Sequence, residues 1–192
     1  MGPSQRAIAV LLLAAVGCAG SGSSGGLPDA DPNRPDARIP TCDTSSATIG
    51  RCELAAGGDC TGVPDEQRVF VPLAPGDSVP MVIGPQASLM FVLALQTTGI
   101  YAGDPDNPAS PDNPNVEMTL LLDSTQRMAH YRGRPAFTVV PGNPDLLGTP
   151  GLFVVVEGSA SELERRQITV VAELTDKDSV ERCGTIMFVA EE

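Results

Sequence analysis

From Arg68 onward the chain repeats one simple unit, a short apolar or alternating run that closes on Gly, Pro, Asn or Asp. Alternation with a period of two is typical of a strand that is buried on one face, whereas an amphipathic helix needs apolar residues three or four positions apart. The run Val116–Leu122 has apolar residues at every second position around Glu117 and Thr119, and Ile168–Leu174 repeats the pattern around Thr169 and Glu173. Regular strands joined by turns are therefore predicted for most of the chain.

About eight or nine such runs, without a convincing long helix, predict an all-β domain. The predicted strands are residues 68–73, 78–83, 88–95, 116–122, 127–131, 137–140, 152–156, 167–174 and 183–190. Two packed antiparallel sheets with Greek-key-like links, an immunoglobulin-like β-sandwich in the broad sense, are the predicted architecture. A closed β-barrel is the alternative fold.

Three segments carry more specific predictions. Leu89–Leu95 and Leu152–Val156 are almost continuously apolar, which is expected of central strands with both faces covered. Residues 167–174 and 183–190 are joined by a polar stretch, so they are predicted to form an antiparallel hairpin. A helical turn or two is expected within Ser159–Arg166, because Ser159 and Glu162 have the spacing of a capping box.

The first residues have the order of an export signal. Arg6 precedes an apolar run from Ala7 to Val16, followed by Gly17 and Cys18. The run is about half of the roughly 20 apolar residues that a membrane-crossing helix needs. Residues 1–17 are therefore predicted to be a signal peptide.

The residues Ala15-Val16-Gly17-Cys18 resemble the lipobox of bacterial lipoproteins, with Ala15 where the family usually has leucine. The resemblance implies that Cys18 is acylated and becomes the mature N-terminus. An ordinary signal peptide cut near Ala19 is the alternative. In that family an aspartate after the cysteine marks retention at the inner membrane, so Ala19 favours the outer membrane of a Gram-negative bacterium.

The remainder divides into a tether and one domain. Residues 18–40 begin with a Gly/Ser-rich coil and continue with prolines, a composition typical of a flexible and then stiffer linker. Residues 41–192 are long enough to bury one hydrophobic core. The chain has 24 acidic and 12 basic residues, so nucleic acid is not an expected partner.

With Cys18 set aside, an even number of cysteines remains in an exported protein, and two disulfides are predicted. The candidates are Cys42, Cys52, Cys60 and Cys183. Three pairings are open, but each joins Cys183 to the N-terminal part of the domain. In the chain-entropy model this long closure contributes more stability than a short one. Zinc is the rival interpretation, disfavoured because no CxxC pair occurs.

The most distinctive segment is Gly103–Asn115, in which Pro-Asp-Asn-Pro occurs twice. Asp and Asn initiate Asx turns and proline fixes φ, so a loop of structured turns is the main prediction. Calcium binding is the alternative, since Ca²⁺ takes six to eight oxygen ligands. The candidate ligands are Asp104, Asp106, Asn107, Asp112 and Asn113.

Catalytic motifs are missing from the sequence. His130 is the single histidine, and no GxSxG, HExxH, phosphate-loop or dinucleotide-binding motif accompanies it. His130 is interpreted as a partly exposed structural residue, and no cofactor other than the hypothetical calcium is expected. The chain is predicted not to be an enzyme; a hydrolase with a non-standard site is the alternative.

One internal segment has a wider resemblance. Val69–Leu95 combines a Val-Pro strand, a Gly-Asp turn and Gly-Pro-Gln before a long apolar strand. It resembles exported lipoproteins of predatory and soil bacteria of the myxobacterial type, which have no assigned activity. The resemblance implies a β-sandwich at the cell envelope. The predicted function is that of a lipid-anchored interaction or structural module with an envelope protein as partner, and a calcium-dependent adhesion module is the alternative.

Overall fold

A computed structural model describes residues 39–54, 68–84 and 86–192. The predicted signal peptide, Cys18, residues 19–38 of the tether and Cys60 lie outside the described residues. The described chain forms eleven strands and one short helix: β1 Ala47–Leu54, β2 Arg68–Pro72, β3 Ser78–Ile83, β4 Leu89–Thr98, β5 Asn115–Leu122, β6 Gln126–Gly133, β7 Thr138–Val140, β8 Asn143–Gly148, β9 Leu152–Val155, α1 Ala160–Leu163, β10 Gln167–Thr175 and β11 Glu181–Glu191.

The strands form two layers that share β3. The first sheet contains β2, β1, β4, β8, β9 and β7, with β4 in the centre, and the second sheet has the order β11-β10-β5-β6. The start of β3, Ser78–Pro80, pairs in parallel with β11, and its second half, Met81–Ile83, pairs antiparallel with β4. The all-β sandwich predicted from the sequence is confirmed. The strand pairing does not close into a barrel, because β2 and β6, the ends of the pairing path among the described strands, are not paired with each other.

The core lies between the two sheets and follows the predicted period of two. Alternate residues of β5 and β10 face it and are at most 1% exposed: Val116, Met118, Leu120, Ile168, Val170, Ala172 and Leu174. From the first sheet Phe91 meets Phe188 of β11 edge to face, with ring centroids 5.0 Å apart. Such a pair adds specific geometry to the burial of apolar surface.

The central position predicted for β4 is confirmed, since its alternate residues Met90, Val92 and Ala94 are also at most 7% exposed. The corresponding prediction for β9 is wrong. Phe153 and Val155 are 42% and 54% exposed, because β9 alternates between the core and an outer surface. Continuous hydrophobicity therefore indicates burial of both faces in only one of the two segments.

The last two strands form the predicted hairpin, with register from Gln167↔Val189 to Thr175↔Glu181. The short helix is also confirmed, and the Glu162 carboxylate accepts a hydrogen bond from the Ser159 N–H as the capping box requires. No helix in the described part of the chain has the length and hydropathy needed to cross a membrane.

Candidate functional site

A disulfide links Cys42 to Cys183, which are 141 residues apart in the sequence. It is the predicted long closure between the N-terminal part of the domain and β11. Cys52 is also disulfide-bonded, and its partner lies outside the described residues. The sequence left three pairings open, and the structure identifies Cys42 as the partner of Cys183.

The disulfide fixes the N-terminal segment of the domain against the second sheet. Next to it the Ser46 N–H donates to the carbonyl of Cys183 at 2.7 Å, and the Cys183 N–H donates to Ser46 Oγ at 3.1 Å. The tether therefore joins the domain at the end of the sandwich where β10 turns into β11. The long loop between β4 and β5 lies at this same end, since Tyr101, just before it, contacts Asp176 and Lys177 of the β10–β11 turn.

That loop, Gly103–Asn115, is named here the Pro/Asn/Asp loop. Its backbone makes three consecutive turns with a spacing of three residues: Asn107 N–H donates to Asp104, Ser110 to Asn107, and Asn113 to Ser110, at 2.9–3.2 Å between nitrogen and carbonyl oxygen. No helix or strand occurs between Thr98 and Asn115. The predicted loop of structured turns is confirmed.

The side chain of Asn113 holds the two ends of this loop together. It is 2% exposed, its Oδ1 accepts the Asp104 N–H at 2.7 Å, and its Nδ2 donates to the Asn107 carbonyl at 3.1 Å. The amide oxygen thus pairs a backbone N–H that the turns leave open, and the amide nitrogen adds a second donor to the Asn107 carbonyl, which also accepts the Ser110 N–H. One buried residue therefore fixes the shape of an otherwise exposed loop.

Neighbouring segments attach the loop to the sandwich. The Phe137 N–H donates to the Ala102 carbonyl at 2.7 Å, and the Arg134 guanidinium donates to the Pro111 carbonyl. On the other side the Lys177 ammonium lies 4.5 Å from the centre of the Tyr101 ring. The loop is thus supported by the β6–β7 connection and by the β10–β11 turn.

Asp176 is the polar centre of that turn. It is 7% exposed and accepts the N–H groups of Tyr101, Asp178 and Val180 at 2.7, 2.9 and 2.8 Å. Burial raises the pKa of its carboxyl. The three backbone hydrogen bonds and the Lys177 charge together lower the pKa by more than burial raises it, so the net pKa lies below the usual 3.8.

Because the folded-state pKa of Asp176 is depressed, its carboxylate stabilises the fold above about pH 4, and this contribution is lost as the pH falls through the folded-state value. We expect Asp176→Asn to lower the free energy of unfolding by about 2 kcal/mol at pH 7 and to flatten its dependence on pH below about 4. Urea unfolding at several pH values measures both effects. Asp178→Asn, at an exposed neighbouring position, is the matched control and should preserve the pH dependence.

The five candidate calcium ligands differ in their burial and in their hydrogen bonds. Asn113 is buried with its amide already bonded, Asp104 is half-buried and accepts the Asp106 N–H at 3.0 Å, and Asp106, Asn107 and Asp112 are exposed. The described residues contain no group of three or more His, Cys, Asp or Glu that could hold a metal ion. Hydrogen bonds within the loop are sufficient to explain its order.

A polar cavity of about 510 Å³ lies beside the disulfide on the outer face of the second sheet. Its floor includes Glu117 of β5 and Glu173 of β10, and the segment containing Thr41 and Thr44 forms one wall. His130 is adjacent, with Nε2 3.5 Å from Glu117 Oε2. The hydrolase alternative predicts a deep pocket that gathers His130 or several carboxylates. This cavity has Glu117, Glu173 and Glu181 in its lining but not His130.

An apolar outer surface on the first sheet is a feature that the sequence did not predict. It includes the exposed side chains of Phe153 and Val155, directly across from Val92 and Met90 of β4. Next to it are two depressions of about 500 and 340 Å³, which share Cys52 in their linings. The sequence of β9, LFVV, does not predict this exposure, because all four of its residues are apolar.

Comparison of the chain with models of protein families, with curated proteins and with solved structures finds no match.

Proposed function

We propose that the protein is a lipid-anchored, non-enzymatic interaction module at the outer membrane of a Gram-negative bacterium. The signal-like N-terminus and the lipobox-like residues before Cys18 support the address. The Cys42–Cys183 disulfide supports export, because such bonds persist in oxidising compartments. The partner is an envelope protein, bound through the Pro/Asn/Asp loop.

The observation that carries this proposal is the preorganisation of the loop by Asn113. A loop that is already ordered loses less conformational entropy on binding, so its exposed groups contribute more to affinity. Long ordered loops on a rigid scaffold are also where binding residues concentrate. An exposed loop with this much internal bonding is better explained by recognition than by linkage alone.

The exposed residues of the loop indicate what the partner offers. Asp106 and Asp112 present carboxylates, and Asn107 presents an amide, without an exposed basic residue between them. Carboxylates form their strongest hydrogen bonds with Arg and Lys. The partner surface is therefore basic and rich in hydrogen-bond donors.

The test compares the native protein with Asn113→Ala. The substitution leaves the Asp104 N–H without its partner and removes one of the two hydrogen bonds to the Asn107 carbonyl, so we expect the loop to lose its fixed shape while the sandwich stays folded. After crosslinking in native membranes and affinity purification of the full chain, one stoichiometric protein partner should be recovered with the native protein. We expect at least tenfold less with Asn113→Ala.

Two control variants sharpen the comparison. Asn143→Ala removes an exposed asparagine of β8 outside the loop and should recover the same partner in full. His130→Ala should also recover the same partner in full. If this variant lost activity or binding while Asn143→Ala kept it, the hydrolase alternative would be favoured. Equal recovery with Asn113→Ala and the native protein would contradict recognition through the loop.

A further inference from the structure

The segment at the root of the tether, residues 41–45, is named here the strap. It crosses the outer face of the second sheet, and Thr41, Asp43, Thr44 and Ser45 are exposed while Cys42 is half-buried. Within the described residues, it is joined to the second sheet by the Cys42–Cys183 disulfide and by a 3.6 Å contact between Cys183 Sγ and the Thr44 carbonyl oxygen. The backbone pairing with Cys183 begins only at Ser46. One covalent bond therefore fixes a segment that has few other contacts.

The strap is also one wall of the polar cavity. Thr41 and Thr44 line it together with Glu117, Glu173 and Cys183. A cavity with a wall held by a single bond depends on that bond for its shape. Without the disulfide, the ordering of the strap, in which every residue but Cys42 is exposed, has no comparable compensation in contacts.

We propose that the Cys42–Cys183 disulfide is a redox-sensitive bond that holds the strap in place as one wall of this cavity. A thiolate of a dithiol attacks one sulfur, the Cys42–Cys183 bond breaks, and a mixed disulfide forms. The second thiol of the reductant then displaces the protein sulfur. Cys42 and Cys183 each gain one electron and one proton, and the dithiol becomes a disulfide.

Reduction has two consequences in this arrangement. The cavity loses the wall that contains Thr41 and Thr44, and the tether lengthens by residues 42–45. Extended chain adds about 3.3 Å per residue, so the reach grows by roughly 13 Å. The release of the strap depends on the oxidation state of the domain and not on the proposed partner or on the lipid.

The test measures backbone order in the full chain, purified in detergent, by ¹⁵N relaxation. In the oxidised protein the strap amides should have order parameters near the rigid value of about 0.85, and in Cys42→Ser/Cys183→Ser they should fall below about 0.6. Chemical-shift changes should be confined to the strap, residues 115–117, residues 173–175 and the start of β11. Shifts of β4 and β9 should stay unchanged.

Dithiothreitol added to the native protein should reproduce the loss of order in the strap. Ser46→Ala, which keeps the disulfide and removes one adjacent hydrogen bond, is the control and should leave the strap rigid. A strap that stays ordered without the disulfide would overturn the proposal. So would collapse of the entire spectrum in both the double variant and the reduced native protein, since the bond would then act on the whole fold.

Discussion

Cys42→Ser/Cys183→Ser should lower the melting temperature by about 10 to 20 °C. The disulfide spans 141 residues of sequence, and in the chain-entropy model a closure of that length destabilises the unfolded chain by about 5 kcal/mol. A domain of this size has about 5 to 15 kcal/mol of stability. The variant should therefore fold at low temperature but with a much smaller margin.

Calorimetry at matched pH and salt measures this effect, with Ser46→Ala as the control. That variant keeps the covalent link and loses the hydrogen bond from the Cys183 N–H, so its loss should be about 1 kcal/mol. A melting temperature of the double variant within about 3 °C of the native protein would show that the closure is not a main source of stability.

The sequence predicted those parts of the fold that local pattern determines. The inward faces of β5 and β10 follow from a period of two, and the central burial of β4 follows from a long apolar run in which no polar residue interrupts Leu89–Leu95. The short helix after β9 follows from Ser159 and Glu162. Each of these signals depends on residues that are close in the sequence.

The missed features depend on residues that are distant in the sequence. β1 contains Gly50, Arg51 and Glu53 and looks like a poor strand, yet it pairs with both β2 and β4. β8 begins with Asn143-Pro144-Asp145, a typical turn sequence, and is recruited by β4 and β7. Tertiary pairing overrides weak local propensity in both strands.

The candidate site shows the same division. The sequence identified the loop and its turns, but it gave Asn113 no special position among the five candidate calcium ligands. The amide is distinguished only by its burial and by the two backbone groups that it reaches. The cavity beside the disulfide was likewise not predicted, because its walls come from residues 41–46, 115–117 and 173–183, which are distant from one another in the sequence.

Cys18→Ser should move the protein from the membrane fraction to the soluble fraction. A single acyl chain gives only marginal, reversible binding, whereas several chains on one residue, each contributing about 0.8 kcal/mol per buried methylene, give stable anchoring. The acidic domain adds no attraction of its own to an anionic membrane surface, since the chain has a net charge of −12 at pH 7. If Cys18 carries the lipid, replacing its thiol removes the site of acylation.

Fractionation of native membranes with an alkaline carbonate wash measures the shift, and mass spectrometry of the mature N-terminus identifies the acyl groups. Ala19→Asp is the matched control: it changes the neighbouring residue but keeps the thiol, so it should remain in the membrane fraction. A native protein that is already soluble, with a mature N-terminus near Ala19 and no added mass, would establish the ordinary signal peptide instead. The loop–partner interaction would then have to operate without the concentrating effect of a shared membrane, and crosslinking yield should fall as the protein is diluted.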